Sequence, residues 1–368
     1  MEIESRKKIV HICPYDYTLS GGHSNAIRAL ADGQAALDAD VTVLSYSQNE
    51  APALTESSLV NVEIYQNDQA LMSYCSSLDI VSGLVVSFCG IRPLDVACAK
   101  LCRKRGIAYV FSSGGALHYR SAFIWVKKLV YVNFLTGYFR GAAGLIATTE
   151  FERKRLRWLF PFYRGNTGVI PNIIDLPSNL PEREDRADGS FVFGFLGRLD
   201  VHNKGLDLLL EAFSKMSVRA QCNLVLVGPD HNGGKAALTQ LITSYGFQNC
   251  VEIREPAYGD AKELFFMEID CFVSLSRWEA FGISFVEAMS RGVASILSDR
   301  INLKLEIGKY GAAELVPLKS SEIAGAMSKM VTHESHRIKI SETGKVWASS
   351  AFKKDEVARM SLDFYERL

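Results

Sequence analysis

The chain has 368 residues, 48% of them hydrophobic and 22% charged, with 41 basic and 41 acidic side chains and no formal net charge. That length suggests about two domains, the hydrophobic content suffices for two cores, and the charge is ordinary for a soluble protein. No run approaches the roughly 18 apolar residues of a membrane-spanning helix, and neither a known module nor a strongly basic domain marks a nucleic-acid binder.

The eight cysteines are scattered without a C-x-x-C pair. They read as reduced, mostly buried thiols of a cytosolic protein rather than as a zinc site or a disulfide framework. Met1–Lys8 lack the apolar stretch of a signal peptide, so the expected location is cytoplasmic. The charge is unevenly spread. Residues 1–171 carry 18 Lys and Arg against 14 Asp and Glu, and residues 172–368 carry 23 against 27. One half of so dipolar a chain is expected to face something anionic.

In chain order, a strand at Lys8–Cys13 is followed by a helix at Ser24–Leu37 and a strand at Val41–Tyr46. Further strands are expected at Val60–Tyr65, Leu84–Ser87, Ala108–Phe111 and Gly144–Thr148, the last closing the set, with helices between them. This alternation predicts a parallel sheet. Residues 172–190 are polar, hold two prolines and read as a linker. The βα rhythm then resumes with strands at 191–196, 223–227, 250–254, 271–274 and 293–297 and a helix at 284–291. The tail from Phe352 to Tyr365 is amphipathic and reads as a terminal helix.

Two segments carry chemistry. In Gly197-Arg198-Leu199-Asp200…Lys204-Gly205, an apolar strand ends at a polar loop, and an amphipathic helix follows. Arg198 can fork onto phosphate oxygens and Lys204 can act as a point charge. In Glu279-Ala280-Phe281-Gly282-Ile283…Glu287, two carboxylates flank a turn that opens a helix. Gly282 permits a close backbone approach or a positive φ, and unpaired N–H groups from about Ile283 onward make an anion site. Taken singly, Arg198 and Lys204 read better as solvated loop charges; their conjunction with the glutamate segment favours a ligand site. A third feature is the Gly21-Gly22 turn before the first helix, whose amides can approach an anion. There is no G-x-G-x-x-G after a strand and no G-x-x-x-x-G-K-[ST], which argues against a dinucleotide dehydrogenase and a P-loop ATPase.

Together these segments resemble the retaining glycosyltransferases of group 4, which have the GT-B fold. Ile170-Pro171-Asn172-Ile173-Ile174-Asp175 is similar to that family's interdomain P-N-G-[IV]-D turn, with Ile173 in place of Gly, and Leu226-Val227-Gly228-Pro229 is similar to its L-V-G strand end. The resemblance implies two Rossmann-like, doubly wound α/β domains facing a cleft. Residues 1–172 would bind the acceptor and residues 173–352 the nucleotide-sugar, with residues 353–368 returning to the first domain.

By the same resemblance, Arg198 and Lys204 neutralise the donor diphosphate, helped by the amides of Phe281, Gly282 and Ile283. Glu279 holds sugar hydroxyls, Glu287 holds the ribose, and Gly21 and Gly22 lie near the donor phosphates. No D-x-D motif sits at a strand end, so no metal or other cofactor is expected. Many relatives place a His near the sugar; His118 is the candidate here, with the Gly114-Gly115 turn as its alternative.

The acceptor is expected to be a glycan or lipid-linked molecule, with surface polysaccharide as the pathway by analogy. Residues 119–165 mix basic and aromatic side chains, as suits contact with an anionic membrane surface; the opposing reading is helices whose aromatics pack in the core. Other readings of the whole are another GT-B enzyme, such as a nucleotide-sugar epimerase, or a catalytically silent scaffold or binding module.

Overall fold

The computed structural model describes residues 7–14, 22–47, 59–79, 83–89, 92–112, 138–174, 176 and 189–368. The chain divides into two compact units. One is Met1–Ile173 together with Phe352–Leu368, and the other is Ile174–Ala351. Most of the expected linker, from 177 to 188, lies outside the described residues.

In the first unit, seven strands form one sheet: β1 (Lys8–Cys13), β2 (Asp40–Tyr46), β3 (Asn61–Tyr65), β4 (Val85–Phe88), β5 (Ala108–Ser112), β6 (Gly144–Ala147) and β7 (Asn166–Val169). Their order is β3-β2-β1-β4-β5-β6-β7, and every pair is parallel. The strands read as continuous apolar runs because both faces are covered. Helices α2 (Asp68–Ser77), α3 (Pro93–Lys104) and α4 (Glu150–Leu159) pack on one face through Leu71, Val96 and Leu156. Helix α1 (Gly22–Ala36) covers the other through Ile27 and Ala31.

Strand β7 corrects the expectation that Gly144–Thr148 closes the sheet. Its sequence, Asn-Thr-Gly-Val, lacks hydrophobic alternation, because an edge strand of four half-exposed residues has little apolar surface to bury.

The second unit holds β8 (Phe191–Leu196), β9 (Cys222–Val227), β10 (Val251–Arg254), β11 (Cys271–Ser274), β12 (Ala294–Ser298) and β13 (Glu314–Val316). These are ordered β10-β9-β8-β11-β12-β13 and are again parallel. Its helices are α5 (Leu206–Ser214), α6 (Gly234–Tyr245), α7 (Asp260–Glu268), α8 (Ile283–Ser290), α9 (Lys304–Tyr310), α10 (Ser320–Thr332) and α11 (Glu334–Ala351). Strand β13 was not legible in the sequence: three residues are too few to show a period.

The terminal helix α12 (Lys354–Glu366) belongs to the first unit and lies against α1. Its docking is steric as well as apolar. The Phe364 ring covers Gly144 and Gly168, where an added Cβ would come within 2.7 Å of it. Two glycines on adjacent strands thus open a slot that the ring fills.

Candidate active site

The second sheet reverses its winding between β8 and β11, which are neighbours. Ligands of open α/β sheets bind beyond the carboxyl ends of the strands at such a switch point. The Arg198–Lys204 loop leaves the end of β8 and the Glu279–Gly282 turn leaves the end of β11. Adjacent parallel strands therefore deliver both segments to one crevice, although they are 75 residues apart in sequence.

Three contacts stitch the two loops together. The Arg277 amide donates to the Asn203 carbonyl at 2.8 Å. The Arg277 guanidinium forks onto the Asp207 carboxylate at 2.8 and 2.7 Å and also donates to the His202 carbonyl. Its hydrogen bonds to Asp207 raise the Arg277 pKa above its ordinary value. Gly205, at φ 66°, caps α5 against the exit of β11; a Cβ there would lie 2.2 Å from the Leu275 carbonyl oxygen.

Within this frame Lys204 Nζ donates to Glu279 Oε2 at 2.5 Å, and Ser276 Oγ donates to the same oxygen at 3.2 Å. The Glu279 carbonyl accepts from the Asn302 amide at 3.1 Å, which fixes its backbone. Glu279 Oε1 has no protein partner among the described residues, so it is left to accept from a ligand. Arg198 is exposed and has no ion-pair partner among the described residues. An unpaired guanidinium at a strand end is available to a phosphate.

The turn that follows is built from opposite demands. Phe281 is buried at 3% exposure and anchors it. Gly282, at φ 84°, is the N-cap of α8, with no side chain to bond the first amides. The amides of Ile283, Ser284 and Phe285, ahead of the first intrahelical bond from Val286 to the Gly282 carbonyl, are thus left to an incoming anion.

Glu287 sits in the second turn of α8, 8% exposed. Lys262 of α7 donates to its Oε1 at 2.6 Å. The adjacent Glu263 takes the Arg291 guanidinium through both oxygens at 2.5 and 2.6 Å, and those bonds lower the Glu263 pKa. Neither α7 residue was singled out from the sequence. Charged side chains on a helix normally read as solvated, and only the packing of α7 on α8 distinguishes these two.

The remaining expectations fall in the first unit. Gly22 is the first residue of α1, whereas Gly21 and His118 lie outside the described residues. So does the 119–137 part of the basic and aromatic stretch. Of its remainder, Tyr138 and Phe139 are fully buried in the core, which corrects their assignment to a surface. Trp158 and Phe162 are exposed at 53% and 74%, and Lys154, Arg157 and Arg164 are exposed near them in sequence. Among the described residues no helix is long and apolar enough to cross a membrane.

A doubly wound second unit with cations, an open helix N-terminus and carboxylates at its switch point defines an α/β site suited to an anionic, hydroxyl-bearing ligand. Comparison with known proteins makes the class specific. Residues 178–347, which lie in the second unit, match the family "Glycosyl transferases group 1".

The GDP-mannose:cellobiosyl-diphosphopolyprenol alpha-mannosyltransferase of Xanthomonas campestris is 36% identical over 132 residues, covering 36% of this chain and 34% of that protein. The mannosylfructose-phosphate synthase of Agrobacterium fabrum is 26% identical over 231 residues, covering 60% and 50%. The aligned parts thus span at most half the length of these two curated relatives.

In fold, the chain matches sucrose-phosphate synthase of Thermosynechococcus elongatus with a TM-score of 0.78, at 17% identity and 98% coverage of both chains. It matches Anabaena HepE in complex with UDP and glucose with a TM-score of 0.77, at 19% identity over 99% and 100%. The fold is therefore that of the GT-B glycosyltransferases.

Proposed function

We propose that this protein is a glycosyltransferase that moves a sugar from a nucleoside-diphosphate sugar to a glycan or lipid-linked acceptor, with retention of configuration and without a bound metal. The observation that carries the reading is the meeting of an unpaired Arg198, the Lys204–Glu279 pair and the open N-terminus of α8 at one switch point. It is supported by relatives whose names specify GDP-mannose transfer and by a like-folded protein bound to UDP and glucose.

In this reading the donor's leaving group is a nucleoside diphosphate, and negative charge grows on it as the glycosidic bond breaks. Arg198 and Lys204 meet that charge, and the first amides of α8 with their aligned dipoles add to the stabilisation. Because Lys204 and the α8 amides are held in place before the donor arrives, little reorganisation of them opposes the reaction. Glu279, held by Lys204 at one oxygen, presents the other to sugar hydroxyls. Glu287 does the same for the ribose. The acceptor binds the first unit, where surface-polysaccharide synthesis at the cytoplasmic face of a membrane is the setting we favour. Trp158 and Phe162 among exposed cations suit the interface of an anionic membrane. Flotation with phosphatidylglycerol vesicles, lost when both aromatics become Ser, is the expected behaviour.

The primary test is a thermal-shift panel with UDP, GDP, ADP, CMP and NAD, with and without Mg²⁺. A ligand at about 100 times its Kd adds roughly 2.7 kcal/mol, enough to raise Tm by a few degrees. The expected result is a metal-independent shift with one nucleoside diphosphate that Glu287→Ala abolishes. No shift with any nucleotide would overturn the reading.

A further inference from the structure

The two carboxylates of the site share an arrangement. Each has one oxygen engaged by a lysine from another element, Lys204 for Glu279 and Lys262 for Glu287, and its second oxygen without a protein partner among the described residues. Lys204 belongs to the loop that meets the donor. Lys262 does not: it reaches Glu287 from α7, with side-chain exposures of 19% for the lysine and 10% for the glutamate. A nearly buried carboxylate without a cation would turn toward solvent or away from its acidic neighbours, and Glu263 lies beside Lys262 on α7.

The neighbouring pair makes the arrangement directional. Lys262 and Glu263 are consecutive on α7, and their partners are Glu287 of α8 and Arg291, the C-cap of that helix four residues on. The signs alternate, so any exchange of partners sets like charges together. Arg291 is almost fully buried, with 2% side-chain exposure, and also donates to the Glu287 carbonyl at 3.1 Å. The double clamp fixes both the backbone of Glu287 and the rotamer of its side chain.

We propose that Lys262 is a positioning residue that holds Glu287 Oε1 so that Oε2 accepts from a ribose hydroxyl of the donor, making the α7–α8 clamp the device by which the site distinguishes a ribonucleotide from a deoxyribonucleotide. The proposal rests on the reading of the site given above. Lys262 touches no ligand itself; it acts through Glu287.

The test compares the nucleoside diphosphate that the wild type binds with its 2′-deoxy and 3′-deoxy forms, by calorimetric titration of wild type, Lys262→Met and Lys262→Arg. The wild type is expected to bind the ribonucleotide about tenfold more tightly than at least one deoxy form, as for one hydrogen bond to a charged group. Lys262→Met is expected to lose about tenfold for the ribonucleotide and little for that deoxy form, so that the preference falls below about twofold, and Lys262→Arg is expected to restore it. A merely structural lysine would weaken all three ligands alike and leave their ratio unchanged. That unchanged ratio, or a wild type that does not discriminate, overturns the inference while leaving the donor site standing. A wild type that binds no nucleoside diphosphate overturns both. If Lys262→Met does not fold, Lys262→Gln, which keeps a donor but no charge, supplies the same ratio.

Discussion

Lys204 Nζ lies 2.5 Å from Glu279 Oε2, and this bond joins the loop after β8 to the turn after β11 across the sheet's switch point. The pair is partly buried, at 14% and 19% exposure. In the proposed reading each member holds the other in place for a different part of the donor, the cation for phosphate and the carboxylate for sugar. The two should therefore behave as one unit in mutagenesis. Lys204→Ala and Glu279→Ala are each expected to lower kcat/KM by of order 10²–10³, as loss of a preorganised charge does. The double variant is expected to lose much less than the product of the two losses. Steady-state kinetics on the three variants check this; fully multiplicative losses would show that the residues act independently.

Gly205 tests the geometry that brings the loops together. A Cβ there meets the Leu275 carbonyl and forces a strained φ, so Gly205→Ala must push α5 away from the end of β11. The expected outcome is a lower Tm together with weaker nucleotide binding, because Lys204 is displaced with the helix. Gly246, the αL C-cap of α6, has open space around it. Gly246→Ala is expected to cost only the backbone term, about 1–2 kcal/mol for an L-residue in the left-handed region, and to leave nucleotide affinity unchanged. Melting and titration of the two variants side by side separate the effects.

Phe364 is the peg that seats the terminal helix. Phe364→Ala empties the slot over Gly144 and Gly168, a loss of about 3–5 kcal/mol by the usual cost of truncating a buried aromatic. Gly168→Ala attacks the same contact from the sheet side by overpacking, at about 1–3 kcal/mol. Combining them is expected to be less destabilising than the sum, because the added methyl enters the space the ring vacated. Chemical denaturation of the single and double variants measures the difference; strict additivity would place the two residues in separate contacts.

A buried polar relay ties the same helix to β1 and makes the first unit sensitive to acid. His11 Nε2 lies 2.7 Å from Gln34 Oε1, Gln34 Nε2 donates to Ser361 Oγ at 2.9 Å, and Ser361 donates to the Ala358 carbonyl at 2.6 Å. With its hydrogen committed to Ala358, Ser361 must accept from the amide, so Gln34 presents oxygen to a neutral imidazole N–H. Burial holds the His11 pKa below 6.5, whereas the unfolded chain takes up its proton near pH 6.5. Below that pH the unfolded state binds more protons than the native state, so stability rises with pH in this window. Acidification from about pH 6.5 down to the folded pKa is expected to lower Tm. The slope should be shallower in His11→Gln; an identical slope would assign the acid sensitivity to other groups.

Much of this protein was legible in its sequence because the physics concerned is local. Continuous apolar runs broken by loops specify buried parallel strands, and β1, β8 and β11 fall where those runs predict them. A glycine before an apolar run specifies an open helix N-terminus, as at Gly282. The spacing of Arg198, Lys204, Glu279 and Glu287 resembles that of glycosyltransferases, and the residues 178–347 that match "Glycosyl transferases group 1" contain all four. What the sequence could not determine depends on neighbours distant along the chain. That β8 and β11 are adjacent, so that two loops 75 residues apart share one crevice, follows from strand order, which no local pattern encodes. That Lys262 is a partner of Glu287 rather than a solvated charge follows from the packing of α7 on α8. That Gly144 and Gly168 are a slot for Phe364 follows from the return of a helix about two hundred residues later in the chain. Local periodicity decides which segments are helix or strand; the ion pairs and close contacts that turn those segments into a site exist only once the backbone has closed around them.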